Sequence, residues 1–429
     1  MNEFFLHYVW QYQVLSRSPL VSTRGESIQV VSPGVHHTQS GPDFQHARLL
    51  IQGVEWFGHV EVHWKASDWK AHGHTQDPAY NTVILHLVWE EDLEIRRPDG
   101  SPMPTVELVS FVSPALYKHY RDLIRFPDKS RFIACASHEW VIPQDVYSQA
   151  IQRALLERIN KKVDELHALF DSTNKNWEET AYRWSAQGFG FSLHKESMDT
   201  LAERVPYSAM ARLRSEPETM EALYFGMSGL LPDQSEDPQI KEWITWFQFF
   251  KRKYTWTDRT MEAVYWKFGR TRPTNFPTLR IAQWVAFLRK THHLHATFLE
   301  PTDVHTARKL FELKVHPYWY QRNRFEKEGK HPHVALPLGA VDRLLINILI
   351  PYQIFVGRYW DEFDREKRAY QWLFDLPPES NSLLDQWQNH LKIQIPTAGD
   401  AQGLIGLYRD FCQPKRCALC PVGHFIFRS

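Results

Sequence analysis

The sequence predicts an α+β protein, with a small mixed α/β domain over residues 1–130 followed by a larger all-α domain over residues 131–429. Two observations predict this class. In the first part, short apolar runs alternate with turns that contain glycine and proline, which is typical of strands. In the second part, apolar residues recur three and four positions apart over long stretches, which is typical of helices packed on a core.

The elements of the first domain follow in chain order from this pattern. Residues 2–15 have the apolar spacing of an amphipathic helix. Four apolar runs then predict strands at 27–34, 47–52, 59–64 and 81–89. Gly53 and Gly58 bracket the connection expected between the second and third of these strands, and a further hairpin is expected over residues 95–108. A helix followed by strands, a polar loop and a last strand makes a small mixed α/β domain.

The second domain contains five stretches with clear helical periodicity. They are residues 144–170, 242–254, 279–290, 340–355 and 382–392. The fourth stretch is almost wholly apolar and contains Pro351, so we expect a buried central helix with a kink at that proline.

Charge and hydropathy restrict the class of protein. The 429 residues include 50 basic and 50 acidic side chains, so composition alone does not predict a basic surface for nucleic acid. No apolar run approaches the roughly 20 residues that a membrane-spanning helix needs, and the first residues lack the features of a secretory signal peptide. We therefore expect a soluble cytoplasmic protein without a membrane partner.

The third predicted strand carries polar side chains at alternate positions. In HVEVHWK, His59, Glu61, His63 and Lys65 share one face of the strand. Asp43 precedes the neighbouring strand, and antiparallel pairing would place it nearer the end of residues 59–65 than their beginning. Two adjacent carboxylates are suitable ligands for a hard divalent ion. This pattern predicts a metal site on a common surface, although a half-buried strand with a solvent-facing polar side would have the same alternation.

Pro42-Asp43, followed eighteen positions after the aspartate by Glu61-Val62-His63, resembles the active-site motif of the PD-(D/E)xK nuclease superfamily. The similarity covers residues 1–95 and includes the order of their elements. It implies a nuclease-like fold and a metal-dependent nuclease, or phosphodiesterase, with nucleic acid as a candidate partner.

The resemblance also implies roles for individual residues. Asp43 and Glu61 would hold Mg²⁺ or Mn²⁺, and the metal would activate the attacking water. His63 stands where the superfamily has lysine. Either His63 or Lys65, two positions later, would assist the water, and Glu3 on the first helix would add a further acid.

The histidine at the lysine position leaves two other interpretations open. A nuclease-like fold that has lost activity could act as a non-catalytic nucleic-acid-binding or scaffold protein. Alternatively, a metalloenzyme could hold Zn, Mn or Fe, because imidazole suits transition metals. The candidate ligands for this ion are His63, His72, His74, His86, Asp77 and Asp43. Each histidine alone is also compatible with a structural hydrogen bond, and His86 inside the run VILHLV is typical of a core histidine.

Three of the four cysteines lie close together near the end of the sequence, as Cys412-x4-Cys417-x2-Cys420. This spacing is typical of metal chelation, and the fourth ligand would be the distant Cys135 or the local His424. Such a site would hold Zn²⁺ or a 4Fe–4S cluster. Some PD-(D/E)xK nucleases hold an iron–sulfur cluster with one distant and three C-terminal cysteines, and this partition is similar. Without a metal, the cysteines would be small buried side chains.

Residues 268–283 combine arginines with turn-forming residues. Arg270, Arg272 and Arg280 lie around Asn275 and two prolines. Guanidinium groups bind phosphate and carboxylate, so this segment is a candidate nucleic-acid contact. The alternative is a rigid connection between helices in which the arginines pair with local acids.

A second resemblance extends over nearly the whole chain. The segments GPDF, GHVEVHWKASDWKAHGH, YNTVILHLVW, RPTNFPTLRIAQ and KRCALCPVGH are similar to a bacterial family catalogued as a domain of unknown function. This resemblance implies that both parts of the chain and the four cysteines belong to one unit. It implies no activity.

Overall fold

The computed structural model describes residues 3–16, 18–37, 40–124, 132–136, 141–213, 217–254, 259–329 and 335–428. A sheet-rich N-terminal region is followed by a largely helical one, which confirms the predicted α+β class. The chain divides into two compact units. Unit 1 comprises residues 1–154, 386–392 and 404–429, and unit 2 comprises residues 155–385 and 393–403. The cysteine-rich C-terminal segment lies in unit 1.

The main sheet belongs to unit 1. Its strands in the described chain are β1 (Leu20–Val21), β2 (Ser27–Ser32), β3 (Val35–His36), β4 (Phe44–Ile51), β5 (Val54–Lys65), β6 (Val83–Glu90) and β7 (Thr105–Glu107). Their order in the sheet is β1-β2-β4-β5-β6-β7, and β3 pairs with β4. β5 is antiparallel to β4 but parallel to β6, and residues 66–82 form the crossover that parallel pairing requires. In unit 2, β8 (Arg322–Arg324) and β9 (Lys327–Glu328) form a short hairpin.

Helices make up most of the remaining structure. The α-helices are α1 (Phe4–Gln11), α2 (Asp68–Ala71), α3 (Pro114–Ile124), α4 (Gln144–Ser172), α5 (Trp177–Arg204), α6 (Tyr207–Leu213), α7 (Pro217–Met227), α8 (Pro238–Lys253), α9 (Pro277–Lys290), α10 (Leu294–Leu299), α11 (Val304–Leu310), α12 (Leu338–Leu344), α13 (Ile350–Tyr359), α14 (Phe363–Asp375), α15 (Ser382–Leu391), α16 (Ala398–Gly406) and α17 (Pro421–Arg428). π-helical turns occupy Leu345–Leu349 and Leu407–Cys412, and a 3₁₀ turn occupies Cys417–Leu419.

α1 lies inside unit 1 rather than on its surface. Its six consecutive residues from Phe5 to Trp10 are all buried, so it has no solvent-facing stripe. The helix contacts β3, β5 and β6, and it also contacts the 3₁₀ turn at Cys417–Leu419. Because α1 packs on the sheet, its polar side chains are held close to the polar residues of β5.

The hairpin of β4 and β5 turns at Gln52 and Gly53, which both have positive φ angles, 51° and 78°. Two such residues are typical of the tight turns that match the twist of antiparallel strands. Gly58, expected to end the connection, instead lies within β5. A Cβ atom on Gly58 would come within 2.5 Å of both the Ile84 side chain and the Thr82 carbonyl oxygen, so the neighbouring strand leaves room only for glycine.

A β-bulge in β4 determines which residue faces Glu61. Ala47 pairs with Gly58, but Phe44 pairs with Val60, so β4 contains one extra residue between these pairs. His46 lies in this interval and has a φ angle of 58°. A shift of one residue in the pairing of two strands reverses the direction in which the side chains point. The extra residue in β4 makes this shift, and Asp43, which precedes Phe44, therefore lies opposite Glu61.

Unit 2 has a large helical core. Its central helix runs from Leu338 to Tyr359 through α12, the π-helical turn and α13, and the turn lies immediately before Pro351. Among the described residues, this helix has the length and apolar composition that a membrane crossing needs, but 83% of its apolar window is buried inside the protein. Such burial is expected of the core helix of a folded domain. The cytoplasmic location stays a prediction.

Candidate metal centre

The hairpin brings the two predicted carboxylates into one network. The backbone N–H of Asp43 donates a hydrogen bond to Glu61 Oε2 over 3.1 Å, and the backbone N–H of Val62 donates to Asp43 Oδ2 over 3.1 Å. These reciprocal bonds hold the start of β4 against the middle of β5. The Glu61 side chain is only 6% exposed, while that of Asp43 is 24% exposed. The predicted common surface is therefore largely buried at Glu61.

The crossover between β5 and β6 adds two histidines to this network. The short helix α2 ends before His72, and Gly73, with a φ angle of 79°, reverses the chain towards His74. One nitrogen each from His63, His72 and His74 lies within 4.8 Å of the other two, a group that can hold a metal ion. His63 is buried, His74 is half-buried and His72 is exposed, so the group opens to solvent on one side.

The Glu61 carboxylate lies beside this histidine group. Its Oε1 atom is 3.3 Å from His74 Nε2 and 3.6 Å from His63 Nε2. We call the set formed by His63, His72, His74 and Glu61 the histidine–glutamate centre. Three imidazoles with one carboxylate are a donor set typical of zinc or iron sites.

His86 supports the centre from the strand next to β5. Its Nε2 atom lies 2.8 Å from His63 Nδ1, and the residue is fully buried. This contact leaves His63 Nε2 directed towards Glu61. Aromatic rings pack on two of these histidines, since His74 stacks on Tyr80 at 3.7 Å and the Trp69 ring meets His86 at 5.2 Å. His86 thus lies behind His63 as its hydrogen-bonding partner, outside the group of three nitrogens.

Burial determines the charge of these groups. It lowers the pKa of His63 to about 2, with a further contribution from His86, and it lowers the pKa of His86 to about 3. Both imidazoles are therefore neutral near pH 7 and keep lone pairs that can bind a metal. Burial raises the pKa of Glu61 to about 7; the Asp43 charge raises it further, whereas the hydrogen bond from His74 lowers it.

α1 contributes a histidine that the sequence did not single out. His7 Nε2 lies 3.3 Å from Asp43 Oδ2, and the His7 side chain is 8% exposed. The first helix also carries Glu3, whose pKa is raised by burial and then by the neighbouring Asp43. A lone histidine within the apolar run FFLHYVW was the available signal, but only packing of α1 on the sheet identifies its partner.

Two predicted residues do not join the centre. Lys65 lies at the end of β5, half-exposed, with Nζ 3.8 Å from Glu90 Oε2 on the end of β6. His59 accepts a hydrogen bond at Nδ1 from the backbone N–H of His46 over 3.3 Å. Of the two residues predicted to assist the water, the hairpin therefore brings His63 and not Lys65 to the carboxylates.

The four cysteines form a second, looser cluster in unit 1, where, among the described residues, no three of their sulfur atoms lie within 4.8 Å of one another. Burial raises the pKa of Cys135 and of Cys412, and each is raised further by the other thiols, because these side chains are neighbours. The 3₁₀ turn that begins at Cys417 is closed by a hydrogen bond from the Cys420 N–H to the Cys417 carbonyl over 3.1 Å. The sequence-distant Cys135 therefore lies near enough to the three C-terminal cysteines for their charges to interact.

His424, the other candidate for the fourth ligand, has a different environment. Its Nε2 atom lies 2.7 Å from the Ala418 carbonyl oxygen. Its ring packs against Tyr8 at 4.8 Å and Tyr12 at 4.4 Å. These contacts favour Cys135 over His424 as the residue that completes the cysteine cluster.

The fold and the site together define an α+β protein whose sheet domain contains a candidate metal centre. The chain belongs to the family described as "Protein of unknown function (DUF2851)", whose model matches residues 3–382. No curated protein and no solved structure gives a significant match to the chain.

Proposed function

We propose that this chain is a metal-dependent hydrolase whose metal ion is held by the histidine–glutamate centre. The observation that carries the proposal is the convergence of three imidazole nitrogens within 4.8 Å of one another beside the Glu61 carboxylate. A bound ion would supply a Lewis acid and lower the pKa of a coordinated water. The exposed edge at His72 provides access for a substrate.

The donor set favours a transition metal over Mg²⁺. Mg²⁺ prefers oxygen ligands and retains several waters, whereas imidazole suits Zn²⁺ and Fe²⁺. A site in which His63 replaces an expected lysine fits this preference, because a neutral imidazole adds a ligand where an ammonium group would repel the ion. We propose Zn²⁺ as the resident ion, with Mn²⁺ and Fe²⁺ as the competitors to be tested.

The acidic residues near the metal would then have separate roles. Glu61 would neutralise part of the metal charge, and Asp43 would accept a proton from the attacking water. His7 Nε2 lies beside Asp43 Oδ2 and the Val62 N–H donates to the same oxygen, so these two groups would orient the carboxylate. Asp43 is the more exposed of the two acids, which suits contact with water.

We further propose a phosphodiester in nucleic acid as the substrate class. The support is the hydrogen bonding of the Asp43 segment to the Glu61 segment across the two strands, which brings together the two acids that the nuclease resemblance names. The non-catalytic scaffold remains the alternative. Cleavage of plasmid DNA, of RNA and of bis(p-nitrophenyl) phosphate should be measured with Zn²⁺, Mn²⁺ and Mg²⁺. Binding of nucleic acid without cleavage under every metal would favour the scaffold.

Metal content provides the matched test of the centre. Changing both His72 and His74 to alanine should reduce the bound transition metal by one ion per chain, measured by plasma mass spectrometry after chelation and reloading. His59→Ala is the control, because His59 lies on the same strand but bonds to His46. Unchanged metal content in the double variant would refute the site.

A second metal is proposed for the cysteine cluster, where it would have a structural role. Cys420 is buried and the other three cysteines are half-buried, and burial and the neighbouring thiols raise the pKa of Cys135, Cys412 and Cys417. A bound metal would replace the thiol protons and stabilise the thiolates. We propose Zn²⁺, with a 4Fe–4S cluster as the rival. A colourless protein that loses one zinc ion in the Cys417→Ser variant supports zinc, whereas broad visible absorption supports iron–sulfur. Full retention of all metal in that variant argues against both.

A further inference from the structure

Unit 2 contains a cavity that is unrelated to the metal centre. Its volume is about 680 Å³, which is within the usual range for small-molecule sites of roughly 300–1,000 Å³. The turn before α9 and the first half of the central helix line it, together with residues 377–380. Arg272, Arg280 and Arg343 all contribute to the lining.

Arg280 is the decisive residue of this cavity. It is only 3% exposed, and its guanidinium donates to Gln283 Oε1 over 2.9 Å and to Asn275 Oδ1 over 2.5 Å. Both acceptors are neutral amides. Among the residues that the structure describes, no carboxylate forms an ion pair with Arg280. A buried charge without a counter-ion is costly, so the arrangement indicates that an anion belongs beside it.

A second arginine is held next to Arg280 by a shared aromatic ring. The Phe191 ring centroid lies 4.3 Å from Arg280 Cζ and 5.0 Å from Arg343 Cζ. Phe191 interrupts α5 with φ 49° and ψ −150°, and both guanidinium groups lie within cation–π distance of its ring. Burial lowers the pKa of Arg280 to about 9, and the Arg343 charge lowers it further.

The acidic side chains that line the cavity already accept hydrogen bonds from other residues. Asp342 accepts two hydrogen bonds from Arg308, over 2.7 and 3.0 Å. Glu379 Oε1 accepts a hydrogen bond from Gln402 Nε2 over 2.5 Å. His194, which faces Arg280, is neutral near pH 7 because burial and then Arg280 lower its pKa to about 4. The cavity therefore has an excess of positive charge.

We infer that this cavity binds a phosphate-bearing anion through Arg280 and Arg343. Two guanidinium forks can each donate paired hydrogen bonds to phosphate oxygens, which gives both affinity and orientation. Asn275 and Gln283 hold the Arg280 fork in a fixed direction before the ligand arrives. The phosphate would come from a phosphorylated small molecule or from the terminal phosphate of a nucleic-acid strand.

Calorimetric titration of the whole protein with inorganic phosphate and pyrophosphate tests the inference. We expect binding by the wild type, weakened about tenfold or more in Arg343→Gln and in Arg280→Gln, because each removes a charged hydrogen-bond donor. Arg252→Gln is the matched control, since this exposed arginine at the end of α8 changes the net charge equally. Should Arg280→Gln fail to fold, Arg343→Gln and Arg272→Gln carry the test.

Two further ligands identify the source of the phosphate. If an oligonucleotide binds with a 5′-phosphate but not without it, the ligand is the terminus of a nucleic-acid strand. If a nucleoside monophosphate binds but the phosphorylated oligonucleotide does not, the ligand is a small molecule. No binding of phosphate or pyrophosphate at millimolar concentration would overturn the inference. Equal affinity of the wild type and the Arg343→Gln and Arg280→Gln variants would also overturn it.

Discussion

The histidine–glutamate centre of unit 1 and the arginine-lined cavity of unit 2 both bury polar groups, but they bury opposite kinds. In the centre, His63 is nearly fully buried as a neutral imidazole beside the Glu61 carboxylate. In the cavity, Arg280 is buried with only neutral acceptors. Neutral imidazoles gathered together favour binding of a metal cation, whereas a guanidinium without a counter-charge favours binding of an anion. The two sites thus call for ligands of opposite sign.

The largest expected effect concerns Asp43. Asp43→Asn should lower the rate of phosphodiester hydrolysis by about 10²–10⁴-fold, because the amide cannot accept the water's proton. Metal content should stay unchanged, since Asp43 lies outside the group of three histidines. Rates and metal content are measured on the same preparation. Loss of both together would assign Asp43 to metal binding instead, and phosphate binding in unit 2 serves as the folding control.

His86 should affect metal affinity without touching the ion. His86→Leu removes the partner 2.8 Å from His63 Nδ1 and leaves His63 free to rotate. Loss of such a partner typically lowers metal affinity by about 10–100-fold. Competition with a chromophoric chelator measures this change. His36→Leu, which alters another histidine of the same sheet, provides the comparison, and equal affinities in both variants would rule out an orienting role for His86.

Removal of the Arg280 charge should increase the stability of the protein and abolish its binding of phosphate. Arg280→Met replaces an uncompensated buried cation by an apolar side chain of similar length. The free energy of unfolding of the ligand-free protein should rise by about 1 kcal/mol or more, because replacement of buried charges by apolar groups is often stabilising. Phosphate binding should be lost at the same time. Denaturant unfolding of the whole protein, followed by tryptophan fluorescence, checks the prediction, and a destabilised variant would indicate that Arg280 serves packing instead.

The smallest expected effect concerns the bulge. His46→Val should destabilise the protein by about 1–2 kcal/mol, because a β-branched residue resists the left-handed conformation at φ 58°. His46→Gly should be close to neutral, since glycine adopts this conformation freely. Thermal unfolding compares the two variants. Equal melting temperatures would show that the bulge tolerates a β-branched residue at this position, which would contradict the assigned strain.

The sequence predicted the fold class because periodicity is a local property. Alternation along HVEVHWK identified β5, and the spacing of apolar residues identified the long helices. The bulge could not be predicted, because His46 is not a residue that marks a left-handed conformation as glycine does. Without it, the pairing of Asp43 with Glu61 was expected only from the nuclease resemblance.

The candidate sites were predictable to different degrees. His72 and His74 stood out because they are close in sequence and precede a strand. His7 did not, since its contact with Asp43 depends on how α1 packs against the sheet. The arginine cavity was recognised only as a basic segment, because Arg343 and Phe191 come from helices far away in sequence.

Anomalous diffraction from crystals of the metal-loaded protein is the most direct test of the histidine–glutamate centre. We expect a peak at the absorption edge of the bound metal, about 2.0–2.2 Å from a nitrogen of His63, His72 and His74 and near Glu61 Oε1. Metal that binds in solution yet gives no peak among these three imidazoles would contradict the central claim.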